Sequence, residues 1–166
     1  MTKKEFALYI RNFTFGVEDS LVSTVGLLSG IAVAGVSKND IFITGMVLIF
    51  VEALSMASGS FLSEQSSEEI EAGKENTSLQ KPLLGALIMF FSYISSGFVP
   101  LAPYIIFPVS SAFSISIAMS LVGLFVLGII NGKIFNRNIL KHGLQMLLVG
   151  GISILAGVVV GKFIGN

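Results

Sequence analysis

Hydrophobic and polar positions alternate in long blocks along this chain. Apolar runs cover Phe15–Val36, Ile41–Leu62, Pro82–Phe107, Ser110–Gly132 and Gly143–Gly165, each long enough for the roughly 20 residues that a spanning helix needs. Short polar turns separate most of them. Ser37-Lys38-Asn39-Asp40 divides the first two, with Asp40 as the expected N-cap of the second. Pro108 and Ser110 mark the turn after the third. The only long connection expected is an acidic loop over 63–81, rich in Glu, Ser and Asn. The pattern therefore predicts an all-α integral membrane bundle of five transmembrane helices in a single domain, 1–166.

Composition agrees with this. Hydrophobic residues make up 53% of the 166 and charged residues only 12%, which leaves no room for a large soluble domain. The formal charge is +0, yet the bases are not evenly spread. Lys3, Lys4 and Arg11 precede the first run, Lys74 and Lys81 precede the third, and Lys133, Arg137 and Lys141 precede the fifth. Only Lys38 and Lys162 fall at the opposite ends. By the positive-inside rule the N-terminus is expected in the cytoplasm and the C-terminus outside or in a lumen. Met1 to Asn12 is polar and has no small-residue cleavage site, so no removable leader is expected.

The chemistry available is narrow. There is no cysteine, and His142 is the one histidine, so thiolate and polyhistidine metal sites are excluded within a chain. No nucleophile–base pairing, phosphate-binding glycine loop or basic nucleic-acid patch is present; neither an enzyme nor a nucleic-acid partner is expected. What remains is a set of acids placed where hydrocarbon opposes them. Glu52 lies in the middle of the second run, where insertion of an acid costs roughly 2.5–3.5 kcal/mol. Such a group persists when it faces a polar path, a partner or a cation. Met56 is one helical turn away, and Glu52, Met56, Gly59 and Ser63 share a face. A carboxylate beside a thioether suits a divalent first-row ion, although a methionine in such a helix is more often packing.

The first run opens with Glu18-Asp19, and Asp19, Ser23, Gly26, Gly30 and Ala34 share one stripe. Gly26-x-x-x-Gly30-x-x-x-Ala34 is a small-residue ribbon that permits close helix approach in lipid. If its partner is a second copy, two Asp19 carboxylates meet near a two-fold axis and must share a proton or a cation. The plainer alternative is that Glu18 and Asp19 are helix-start acids at the membrane interface. Glu64, Glu68, Glu71 and Glu75 would form another stripe if the second helix continued into the cytosol, and Glu64 and Glu68 could then draw cations to its mouth; most such runs are only solvated. Gly73 and Asn76-Thr77-Ser78 oppose one continuous helix. In the third run, Pro100 and Pro103 predict a kink or break.

Three segments carry a family resemblance. Asp19-Ser20-Leu21-Val22-Ser23-Thr24-Val25-Gly26 resembles the D-G-L-V-S-T-x-G first-helix signature of the vacuolar iron transporter family. Ala53-Leu54-Ser55-Met56-Ala57-Ser58-Gly59-Ser60-Phe61-Leu62-Ser63 resembles its A-x-S-M-x-x-G-E/S-Y-x-S second-helix element. Gly97-Phe98-Val99-Pro100-Leu101-Ala102-Pro103-Tyr104 is similar to its G-x-x-P-x-x-P-Y third-helix element. The resemblance implies a homodimer of five-helix protomers in the bilayer, with an ion path along the two-fold axis lined by first helices. It also implies export of Fe²⁺, often Mn²⁺, from the cytosol in exchange for protons. Asp19 matches the family's first-helix acid and Met56 its second-helix methionine. Ser20 stands where glycine is usual and Ser60 where plant-type members carry Glu, and 63–81 is too short for their Glu-rich inserted domain.

Together these readings give a proton-coupled divalent-metal exporter of minimal form. Its expected ligand set is Asp19, Met56 and Glu52, with Glu18, Glu64 and Glu68 attracting the ion. The dimer is expected through Gly26, Gly30 and Ala34. No permanently bound cofactor is expected; the metal is cargo. A plasma membrane is the simplest expectation for so compact a chain. A passive cation channel and a non-transporting scaffold are the competing readings.

Overall fold

A computed structural model describes residues 2–73, 78–136 and 138–165. Five helices follow one another: α1 Lys3–Val33, α2 Lys38–Ala72, α3 Gln80–Ile106, α4 Val109–Ile134 and α5 Ile139–Ile164. All five are long and apolar enough to cross a membrane, and no strand occurs among the described residues. Large apolar side chains face outward along the bundle, including Val47, Val51 and Leu54 of α2 and Leu148, Ile152 and Leu155 of α5. In water such a surface would aggregate; in a bilayer it is the expected face. This is an integral membrane protein.

Two helices are longer than the hydrophobic pattern predicts. α1 starts a dozen residues before Phe15 because Thr2 and Glu5 form a capping box. The Thr2 hydroxyl accepts from the Glu5 N–H at 3.2 Å, and the Glu5 carboxylate accepts from the Thr2 N–H at 2.8 Å. α2 runs ten residues past Leu62, so the first half of the expected acidic loop is helix. The reason is charge pairing across helices. Arg11 of α1 reaches Glu64 at 3.5 Å and Lys4 reaches Glu71 at 3.2 Å. Lys81 at the start of α3 reaches Glu68 at 3.3 Å and Glu5 at 3.7 Å. Gly73, with φ of 63°, then ends α2 in the left-handed region that glycine enters freely. Lys74, Glu75 and Arg137 lie outside the described residues.

Asp40 is not the cap of α2. Ser37 holds that position, accepting from the Asp40 N–H at 3.3 Å and donating to the Asp40 carboxylate at 2.7 Å. α3 also departs from expectation, passing Pro100 and Pro103 without interruption. Hydroxyls supply hydrogen bonds along this helix. Ser95 and Ser96 donate to carbonyls of the preceding turn, and Ser116 of α4 donates to the Pro100 carbonyl at 2.7 Å.

α1 is the central element, packed chiefly on α3 and α5 and much less on α2. Against α5 the contact is made by small residues on both sides. A methyl group at Gly30 would stand 2.6 Å from the Gly157 carbonyl oxygen, and one at Gly157 or Gly161 would overlap the carbonyl of Gly26 or Gly30. The ribbon Gly26, Gly30, Ala34 therefore meets Gly157, Gly161 and Gly165 of the same chain. Against α3, Ser20 donates to the Tyr93 carbonyl at 2.7 Å, beside Gly97. The remaining core, Leu28, Ile41, Ile49, Leu101, Tyr104 and Ala112, joins α1 to α4 toward the far end.

Candidate metal path

α1 and α2 diverge at the end of the bundle that carries most of the bases, and a cleft of about 910 Å³ opens there. α1 contributes Arg11, Asn12, Thr14, Phe15 and Glu18 to its walls. α2 contributes Ser55, Met56, Gly59, Ser60 and Ser63, the face that the Glu52–Met56–Gly59–Ser63 spacing predicts. Met89 of α3 and Phe135 beyond α4 complete the lining. Glu18 and Met56 are thus brought to one space, an acid and a thioether on opposite walls.

Glycine at position 16 sets how deeply α1 sinks into α3 beside this cleft. A methyl group there would stand 3.0 Å from the Met89 carbonyl and 3.2 Å from its sulfur, and would overlap the Ser92 hydroxyl. Glu18 and Asp19, two and three residues further along α1, are both half-buried. Glu52 and Met56 of α2 are half-buried as well. Asp19 lies within Coulombic range of both Glu18 and Glu52. Two carboxylates so placed in a low-dielectric region favour a shared proton or a cation between them.

Pattern alone did not single out Tyr93. Its ring is fully buried under α1, and its hydroxyl lies 2.8 Å from the Ser23 hydroxyl, in the electrostatic range of both Asp19 and Glu52. A tyrosine among the apolar residues of α3 reads as packing; only its position against the Asp19–Ser23 stripe gives it a polar task. Asn12 is the other omission. It is 2% exposed, its side-chain N–H₂ has no partner among the described residues, and it lines the cleft.

The remaining expected residues lie elsewhere. Glu64 and Glu68 lie outside the cleft lining, Glu64 paired with the lining residue Arg11 at its edge and Glu68 with Lys81. Among the described residues no three acidic or imidazole side chains converge on one point. A single protomer therefore brings Glu18 and Met56 to the cleft, an open seam between α1 and α2, with Asp19 and Glu52 half-buried beside them in sequence and outside its lining.

Comparison with known proteins identifies the family. The VIT family profile matches residues 10–80 and 70–162, nearly the whole chain. Vacuolar iron transporter homolog 1 of Oryza sativa subsp. japonica is 24% identical over 162 residues, covering 89% of this chain and 70% of the relative. Vacuolar iron transporter 1 of Tulipa gesneriana is 22% identical, covering 92% of this chain and 86% of the relative. For Vacuolar iron transporter 1 of Arabidopsis thaliana the identity is 20%, with 98% and 90% covered. These relatives are named as transporters, not enzymes, and as vacuolar, which gives no support to a plasma-membrane preference. With its five spanning helices and its acid–methionine seam, this chain belongs to the VIT family.

Proposed function

We propose that the protein is a homodimeric transporter that moves a divalent transition metal, Fe²⁺ or Mn²⁺, out of the cytosol in exchange for protons. The observation that carries the reading is the α1–α2 seam. Glu18, Asp19 and Glu52 are only half-buried there, inside segments that cross the bilayer, with the Met56 thioether beside them. Carboxylates facing lipid would be opposed by several kcal/mol in total. A second copy laid across the seam covers them and doubles the ligand set. The Gly26–Gly30–Ala34 ribbon packs on α5 and, with Val22, Ser23 and Leu27, also lines a groove along α1 that a second copy could enter.

The chemistry of exchange follows from the acids. A divalent ion between Asp19, Glu52 and their symmetry mates neutralises the same charge that protons neutralise, so each occupant displaces the other. Met56 adds a soft ligand that favours a transition metal over Mg²⁺ or Ca²⁺. Oxygen and thioether donors without thiolate or imidazole keep binding moderate, as release requires. The clustering of bases at the cleft end supports a cytosolic mouth. The relatives' names support iron as a cargo, and a vacuole-like membrane suits the same orientation.

The test is metal flux in proteoliposomes with and without a pH gradient. The expected result is Fe²⁺ or Mn²⁺ movement that the gradient accelerates and that Asp19→Asn abolishes. Flux indifferent to the gradient would identify a channel. Absence of flux for every divalent ion would reduce the family likeness to one of fold.

A further inference from the structure

Arg11 is out of place in a cleft that receives cations. It lines the same space as Glu18 and Met56, seven residues before Glu18 and so on the same face of α1. It brings a cationic guanidinium to the space. Yet Arg11 does not stand alone. Its Nη2 lies 3.5 Å from Glu64 Oε2, on the opposite wall, next to the cleft residue Ser63. The Glu64 side chain is only 19% exposed whereas that of Arg11 is 66% exposed. The pair bridges the mouth from α1 to α2. The other pairs at this end, Lys4–Glu71 and Lys81–Glu68, involve no residue of the cleft lining.

We propose that the Arg11–Glu64 pair is an electrostatic gate that sets how readily divalent metal enters the cleft, with Glu64 acting by cancelling Arg11 and not as a ligand. This rests on the metal-transport reading above. With the pair intact, the mouth is neutral and the cation meets the field of Glu18 beyond it. With Glu64 neutralised, a bare guanidinium faces each arriving ion; with Arg11 neutralised, a bare carboxylate draws it in. A pair that served only to staple α2 to α1 would behave differently, because losing either partner would loosen the same contact. Exposed pairs of this kind add little to stability, about 0.2–1 kcal/mol, so the electrostatic role is the one that can be large.

The experiment measures Mn²⁺ flux in proteoliposomes at low ionic strength, with metal supplied on the cleft side, for wild type, Glu64→Gln, Arg11→Gln, Arg11→Lys and the double variant Arg11→Gln/Glu64→Gln. Glu64→Gln is expected to raise the half-saturating Mn²⁺ concentration about fivefold, the Coulomb effect of one charge on a divalent ion about 8 Å away in water. Arg11→Gln is expected to lower it by a similar factor. Arg11→Lys and the double variant, which keep the wild-type net charge at the mouth, are expected to stay near the wild-type value. Maximal rates should not change, and the single-variant shifts should fade at 1 M salt, where the screening length is about 3 Å. Shifts of both single variants in the same direction, or no shift in either, would overturn the gate while leaving transport standing. Wild-type protein that moves no divalent ion would overturn the transport reading itself, and the gate with it.

Discussion

On one side α1 meets α5 with glycine against glycine, and on the other it parts from α2 and leaves carboxylates uncovered. The first contact is dry and close, with no room for a methyl group at Gly30, Gly157 or Gly161. The second is an open cleft whose lining includes Glu18, Arg11 and Met56, with Glu52 half-buried one turn from Met56 on α2. Both faces come from the same helical turns of α1, since Ser23 and Gly26 both border the groove that runs beside α5. Close packing on α5 and α3 fixes the backbone of α1, and that rigidity keeps Asp19 within the electrostatic range of Glu52. A stable fold thus carries an unstable arrangement of charge, which is what a site for an exchangeable cation requires.

The sharpest way to break this division is to fill the packed face. Gly161→Leu should force α5 off the Gly30 carbonyl and cost about 3 kcal/mol or more, seen as loss of a monodisperse, thermally cooperative protein in detergent. Gly151→Ala, where nothing lies within 4 Å, is the matched control and should stay within about 0.5 kcal/mol of wild type. On the open face the expectation reverses. Asp19→Asn should leave the unfolding midpoint unchanged or higher, because it removes repulsion with Glu52. Metal flux should nonetheless be abolished, as the exchange reading requires. A variant that loses stability and transport together would show that the two faces are not separable.

Tyr93→Phe falls between these extremes. It removes the hydrogen bond to Ser23 and should lower stability by about 1 kcal/mol in thermal or denaturant unfolding, with a smaller loss of flux than Asp19→Asn. The smallest effect belongs to the charged extension. The Thr2 backbone N–H holds the Glu5 carboxyl below 4.5, with the Lys81 charge adding to it against a little desolvation. That contribution is present above pH 4.5 and is lost as pH falls through the lower folded value. Lys81 is raised above 10.5 by its hydrogen bond to Glu68, so its contribution is present below pH 10.5 and lost as pH rises beyond. A spin label at Ala72 should gain mobility above pH 10.5, where Lys81 releases Glu68 of α2.

Much of the bundle is legible in the chain because a bilayer leaves few solutions. Five apolar runs become five helices, and a carboxylate such as Glu52 with Met56 one turn away marks a face whatever it packs against. The family likeness rests on the same residues, Asp19, Met56 and the Pro100-x-x-Pro103 element. The missed parts are of another kind. The extension of α2 to Ala72 depends on Arg11, Lys4 and Lys81 arriving opposite Glu64, Glu71 and Glu68, and no local rule contains those distances. The start of α1 was readable in principle, since Thr2-x-x-Glu5 is a capping box, but a hydropathy pattern passes over a polar helix.

The number of spans, the polarity of the charged end and the acid–methionine chemistry of α1 and α2 were decided by the sequence alone, because each follows from transfer energies and helical periodicity within one segment. Tertiary structure decided the rest. It gave the Gly26–Gly30–Ala34 ribbon to α5 of the same chain, set Tyr93 beside Asp19, and spent Glu64 and Glu68 on ion pairs. Each of these is a choice of partner among several compatible surfaces, and such choices are settled only when all five helices compete for the same contacts.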